Sequence, residues 1–304
     1  MQTLSVLLQK DKPASRDHFR QIVAKTKQQV STSPVTIEVR EDRSAGYDMF
    51  TFVSWSAEEY TLETRDRVRS FVSLVVMEFI IEQLQPQLIR QIIRKAFSDQ
   101  VSNDWSALLP YIHVVLQDND REQSQLSYKT RLYQQILEYL QDHREIVMDG
   151  FVRFRCKPYL DTLQDAIEVG LKQYKEDKEY KEFVELLRYF VSVQETRYEL
   201  VHVVQSGSKP FLFFDETGSL INLDQLDMIL QSVGQDFREE DYVVSALITL
   251  APKRILFHLA DQRSNLIETL YGIFGDRLAS CQNCSYCQNV QRALDFIKST
   301  HYNT

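Results

Sequence analysis

The chain is poor in the residues that break structure or cross-link it. Among 304 residues there are eight glycines, seven prolines and four cysteines. Too few Gly and Ser cluster to form a flexible linker, and no segment repeats or falls into low complexity, so solenoid and tail-like architectures are excluded. Cations are also in short supply. Lys+Arg 35 against Asp+Glu 43 leaves a formal charge of −8 and a pI ≈ 5.4. An open nucleic-acid-binding face needs clustered cations to neutralise phosphates, so none is expected. A local exception, Arg153, Arg155 and Lys157, reads as the solvated side of a strand. Long apolar runs are missing too. The greasiest stretch, 71–81, is interrupted by Ser73 and Glu78 and is far shorter than a bilayer span. The N-terminus has no charged, apolar leader pattern. The expectation is a cytoplasmic protein with reduced thiols and no membrane partner.

What is present is a composition of 43% hydrophobic and 26% charged residues, that of a soluble globular chain. Residues 3–8 read as a strand and 15–30 as a helix burying Phe19, Ile22, Val23 and Val30. Val35, Ile37 and Val39 alternate with polar residues, the period-two signal of a half-buried strand. A turn at 44–46 leads to a further strand, 49–53. Residues 1–55 therefore form a small α/β unit.

Residues 56–196 read as helical. Ser56 with Glu59 has the spacing of a capping box. Val68, Val72, Val75, Val76, Phe79 and Ile80 form a wide apolar stripe, Pro86 marks a break, and Leu88, Ile92, Ile93 and Phe97 resume helical spacing. Asn103 is placed to cap a next helix, which Pro110 would bend. Residues 117–125 read as a loop, and Leu126, Tyr133, Ile136, Leu137 and Leu140 as a helix closed by Gly150. The stretch 178–194 sets Tyr180, Phe183, Val184, Leu187, Phe190 and Val191 on one stripe, widened by Leu186 and Val193. Apolar coverage of more than half the cylinder predicts a largely buried helix. The mixed-sign run 172–182 before it reads as a solvated face or an interhelical turn.

Residues 197–280 change code, in the order ββααβαβ. Residues 198–205 and 210–214 form a hairpin, Asp215-Glu216-Thr217-Gly218 is turn chemistry, and Asn222 and Asp236 cap two helices. Pro252 stops the second. Residues 254–259 are a strand, Asp261 caps a helix that Gly275 closes, and 277–280 is a last strand. Asp215 and Glu216 after a strand could hold Mg²⁺ for phosphodiester cleavage, but no further acidic motif completes such a site, and the turn role is preferred. The overall expectation is a predominantly helical α+β protein: a small N-terminal α/β unit, a helical middle and a C-terminal α/β lobe with a cysteine loop in 281–304.

That loop, CQNCSYC, is the one constellation with chemical content. Cys281, Cys284 and Cys287 have the spacing C-x2-C-x2-C. Three thiolates can occupy three corners of a tetrahedral zinc, with Cys156, His258 or His301 as the fourth ligand. The same run begins a ferredoxin-type iron–sulfur loop, with Cys156 as the distant ligand. Unliganded, reduced thiols are the third reading. His258, inside an apolar strand, also reads as a satisfied core histidine. P-loop, GxGxxG, GxSxG and HExxH patterns do not occur.

The words KEYKEFVELLRYFVSVQ (178–194), FVRFRCKPY (151–159) and PKRILFH (252–258), with CQNCSYC, resemble the YtxC family of sporulation proteins. The likeness extends over nearly all the chain from about Leu62. It implies an endospore-forming source and a protein acting near sporulation, and it brings no activity, substrate or catalytic residue with it. The resulting expectation is a non-catalytic protein that acts by contact with an unknown protein partner, with the cysteines as a metal knuckle. The alternative is a redox or metal-dependent enzyme using the cysteine cluster.

Overall fold

The structure is a computed structural model and describes residues 2–10, 13–30, 35–44, 46–56, 62–101, 105–121, 127–204, 211–223, 239–258 and 265–281. Contacts divide the chain into two compact units, Met1–Glu176 and Asp177–Thr304. It is predominantly helical, with a four-stranded mixed sheet in each unit among the described residues.

In the N-terminal unit β1 (Gln2–Gln9), α1 (Pro13–Gln29), β2 (Val35–Ser44) and β3 (Tyr47–Ser56) follow the sequence pattern closely. The sheet runs β2-β3-β1-β4, antiparallel except for the β1–β4 pair. Its inner face carries Leu4, Val6, Phe50 and Phe52, all but excluded from solvent. Phe19 of α1 packs on it, with ring centroids 4.6 Å from Phe50 and 5.2 Å from Phe79. At the outer edge the Glu41 carboxylate accepts from Arg16 at 2.7 Å and from Arg20 at 2.6 Å.

Ser56 closes β3, paired with Val35, so it does not begin a helix; Glu59 lies outside the described residues, as does Asn103. The next helix, α2 (Leu62–Phe79), buries the whole predicted stripe: Val68, Val72, Val75, Val76 and Phe79 are at most 1% exposed. Pro86 does not break the run. A π-helical turn, Ile80–Leu84, precedes α3 (Gln85–Ala96), and the Gln85 N–H donates to the Ile80 carbonyl five residues back. The wider turn accommodates a proline near the start of α3, where a missing N–H costs least. By length and composition Arg65–Ala96 could cross a membrane, but half of its most apolar window is buried, as in a core helix.

After a short 3-10 turn, α4 (Leu109–Arg121) carries Pro110 in its first turn and continues into the segment read as a loop. α5 (Tyr128–Asp142) is capped by Ser127, whose hydroxyl accepts from the Thr130 N–H. It ends at an extended His143, well before Gly150. The intervening β4 (Glu145–Val147) is only three residues long and pairs with β1, more than 130 positions away, so no local period announces it. Gly150 sits inside α6 (Met148–Arg155). Arg153, Arg155 and Lys157 are solvated as expected, but on helices rather than a strand.

α7 (Lys157–Val193) passes without interruption through the charged run. Its first half buries Leu163, Ala166, Ile167 and Leu171 in the N-terminal unit. Gly170 permits a close approach to α4: a Cβ there would lie 3.0 Å from the Ile112 backbone nitrogen.

In the C-terminal unit β5 (Val201–Val204) and β6 (Leu212–Phe214) form the hairpin, shorter than the sequence suggested. α8 (Glu239–Leu250), β7 (Ile255–His258), α9 (Asn265–Phe274) and β8 (Leu278–Ser280) complete it. The first of the two helices expected between β6 and β7, with Asp236 and Asp261, lies outside the described residues. The sheet order is β6-β5-β7-β8, with β5, β7 and β8 parallel. Val201, Val203, Ile255, Phe257 and Leu278 bury one face against Val243, Leu247, Leu266, Leu270 and Ile273. Gly275 ends α9 at φ 55°, a left-handed conformation that glycine adopts without a Cβ penalty.

Candidate functional site

Two features of the C-terminal unit stand apart from its core. The first is the second half of α7, where the structure corrects the sequence reading. Val191 is buried, and Val184 and Leu187 pack on the same core. These three share one face at i, i+3 and i+7 spacing. The rest of the predicted stripe stands about half exposed or more: Tyr180 51% and Phe183 55%, both bordering a groove, then Leu186 63%, Phe190 49% and Val193 61%, with Tyr189 at 67% beside them. The physical reason is width. A lobe of this size takes in only one side of a helix that is apolar over more than half its circumference. Lys178 pairs with Glu182 at 3.7 Å on the exposed surface, so the charged run is a solvated face and not a turn.

On its inward side α7 borders a groove of about 910 Å³ whose lining includes Tyr180, Val184, Arg188, Val244, Thr269 and Gly272. Gly272 lets α9 come close, since a Cβ there would lie 3.0 Å from Val184 Cγ1. The Tyr180 and Thr269 hydroxyls are hydrogen-bonded across the two helices.

The second feature is the C-terminal edge of the parallel strands. His202 Nδ1 lies 2.9 Å from His258 Nε2, and the rings stack with centroids 5.2 Å apart. His258 is 5% exposed. Burial, reinforced by His202, pushes its pKa down to about 4, so the imidazole is neutral at pH 7. Burial also lowers that of His202, with Asp215 opposing. The satisfied-histidine reading of His258 is thus met by a partner that sequence reasoning missed. The pairing is set by the β5–β7 register, which aligns Val204 with His258 and is invisible until the strands are ordered.

Cys281 follows β8 directly, and its N–H donates to the Phe257 carbonyl at 2.9 Å. Leu256 faces Ala279 in the β7–β8 register. Two residues on, His258 and Cys281 therefore fall on the same face of the sheet. Cys284, Cys287 and His301 lie outside the described residues, and among those described no three His, Cys, Asp or Glu side chains gather as a metal site would require. Cys156 belongs to the N-terminal unit's core, fully buried, its thiol pushed up to about 12 by desolvation.

Asp215 takes the turn role. Its carboxylate accepts from the Thr217 hydroxyl at 2.6 Å and from the Thr217 and Ser219 N–H groups at 2.9 Å each. The Thr217 hydroxyl above all holds its pKa below the usual carboxylate range.

A protein from Bacillus subtilis (strain 168) described as "Uncharacterized protein YtxC" is 20% identical over 217 residues, covering 69% of this chain and 76% of that protein. No solved structure matches. The profile of the YtxC-like family matches residues 70–279, two-thirds of the chain, ending two positions before Cys281. The chain belongs to the YtxC-like family.

Proposed function

We propose that this protein is a non-catalytic, cytoplasmic, sporulation-associated factor that docks a protein partner through the outward face of α7. One observation carries the reading: Phe183, Leu186, Phe190 and Val193 stand about half exposed or more at consecutive helical spacing. With Tyr189 they expose roughly 500 Å² of contiguous apolar surface, taking an aromatic side chain as about 150–250 Å². A patch of that size equals the largest on a typical monomer, which is often a functional surface. The partner it fits is another apolar helix face, since a narrow stripe with a polar surround matches helix-on-helix packing. The sporulation assignment rests on the family resemblance.

The test is genetic. Leu186→Glu with Phe190→Glu, placed in the chromosomal copy of the endospore-forming host, should reduce spore yield to the level of a deletion while the purified variant keeps its melting temperature. Wild-type spore yield from that variant, where the deletion is defective, would overturn the docking role. A deletion without effect on spore yield would overturn the sporulation role.

A second reading is favoured by the tie between Cys281 and the strand end at His258. In it Cys281, Cys284, Cys287 and the neutral His258 hold a structural zinc. The iron–sulfur variant needs Cys156, which is fully buried in the core of the N-terminal unit; the redox or metal-dependent enzyme alternative rests on Cys281, Cys284 and Cys287. Elemental analysis of anaerobically purified protein should find about one zinc per chain. It should be lost in the triple Cys→Ser variant and in His258→Ala. Colourless protein with neither metal would leave the cysteines as reduced thiols, and a brown protein containing iron would favour the enzyme.

A further inference from the structure

The docking reading leaves the occupant open, and the α7 sequence itself narrows it. The outward residues Phe183, Leu186, Phe190 and Val193 are spaced 3-4-3, the a/d spacing of a helix-pairing seam, and α7 is continuous through all four. Read in reverse, the same seam complements itself. In an antiparallel pair centred on residue 188, Phe183 meets Val193 of a second copy and Leu186 meets Phe190. Each layer then joins a large ring to an aliphatic side chain, and a and d positions oppose each other as antiparallel packing requires.

Charge selects the same orientation. One turn before the seam, at a seam position, lies the exposed Glu179. A parallel pair would oppose it with its own copy, whereas in the antiparallel pair it faces the region past the end of the partner copy's α7 at Val193. Nearby Lys175 is engaged with Gln100 at 2.9 Å. Area fits as well. Two faces of roughly 500 Å² remove about 1,000 Å² in total, the lower bound of a specific interface and far below an obligate one.

Resting on the proposed docking role, we infer that the occupant of this face is a second copy of the chain, paired antiparallel along α7 in a weak, isologous dimer.

Sedimentation equilibrium on the full chain, from low micromolar to submillimolar concentration, tests it. Wild type should pass from monomer to dimer across that range. Leu186→Glu and Phe190→Lys should each remain monomeric with an unchanged circular dichroism spectrum. Their equimolar mixture should dimerise again, because one antiparallel layer then joins the introduced carboxylate of the first variant to the introduced ammonium of the second, and the other three layers remain apolar. A parallel pair would not be restored by mixing, so a monomeric mixture beside a dimeric wild type overturns the inference. Dimerisation of Leu186→Glu alone would place the interface elsewhere and overturn it too. A wild type that stays monomeric overturns the second-copy occupant, while the docking role still answers to the spore-yield test.

Discussion

The two halves of α7 have similar apolar content and opposite fates. From Leu163 to Leu171 one stripe, Leu163, Ala166, Ile167 and Leu171, disappears into the N-terminal core, and Val169 beside it stands 46% exposed. From Phe183 to Val193 the apolar residues form two stripes, of which Val184, Leu187 and Val191 serve the C-terminal core and Phe183, Leu186, Phe190 and Val193 do not. Apolar residues beyond what one core can bury are a surplus. On a helix that otherwise folds normally, such a surplus is the basis of the docking role proposed above.

Substitutions can break or sharpen that contrast. The largest effect is expected at Phe19, fully buried against Phe50, Phe52 and Phe79, where Phe19→Ala should cost about 3–5 kcal/mol in urea denaturation. Tyr159→Phe removes the hydroxyl that donates to Gln85 Oε1 at 2.9 Å in the same core. Stranding that amide should cost about 1–3 kcal/mol by the same measurement.

Glu41 gives the pH dependence. Its hydrogen bond to Arg20, aided by Arg16 and opposed by partial burial, lowers its pKa from 4.5 to about 2. A carboxylate depressed in the folded state stabilises above its unfolded value, so this contribution should be intact above about pH 4.5 and be lost as pH falls toward 2. With the side chain 27% exposed, solvent screening limits it to about 1–2 kcal/mol. Glu41→Gln should remove it at neutral pH and flatten that part of the stability–pH curve. The smallest effect is expected on the outward face. Leu186→Gln should change stability by no more than about 0.5 kcal/mol. A loss of about 2 kcal/mol or more there would mean that the face is core after all.

Much of the fold could be read from short-range pattern. Val35, Ile37 and Val39 announced β2, and Val68 to Ile80 announced the buried side of α2, because each element has one solvent side and one core side. The pattern failed where the decisive partner is distant or the signal is shared. β4 is three residues whose identity comes from β1, and Gly150, which resembles a helix stop, is interior to α6. Pro86 resembled a break because a π-turn leaves no mark on apolar spacing. The outward face of α7 was read as core because periodicity reports that a face is apolar, not what covers it. At the candidate metal edge, Cys281 was singled out from the C-x2-C-x2-C spacing and His258 from its residue type. His202 was not, since its link to His258 exists only once β5 and β7 are paired.

Site-resolved thiol labelling, in dilute protein, of Leu186→Cys and Val191→Cys tests the central claim most directly. The two positions are five residues apart on one helix and differ only in the face they occupy. The account predicts that the thiol introduced at position 186 reacts at the rate of an unstructured thiol and that the one introduced at position 191 is protected by at least about two orders of magnitude. Comparable protection at both would return this face of α7 to a protein interior and remove the basis for docking.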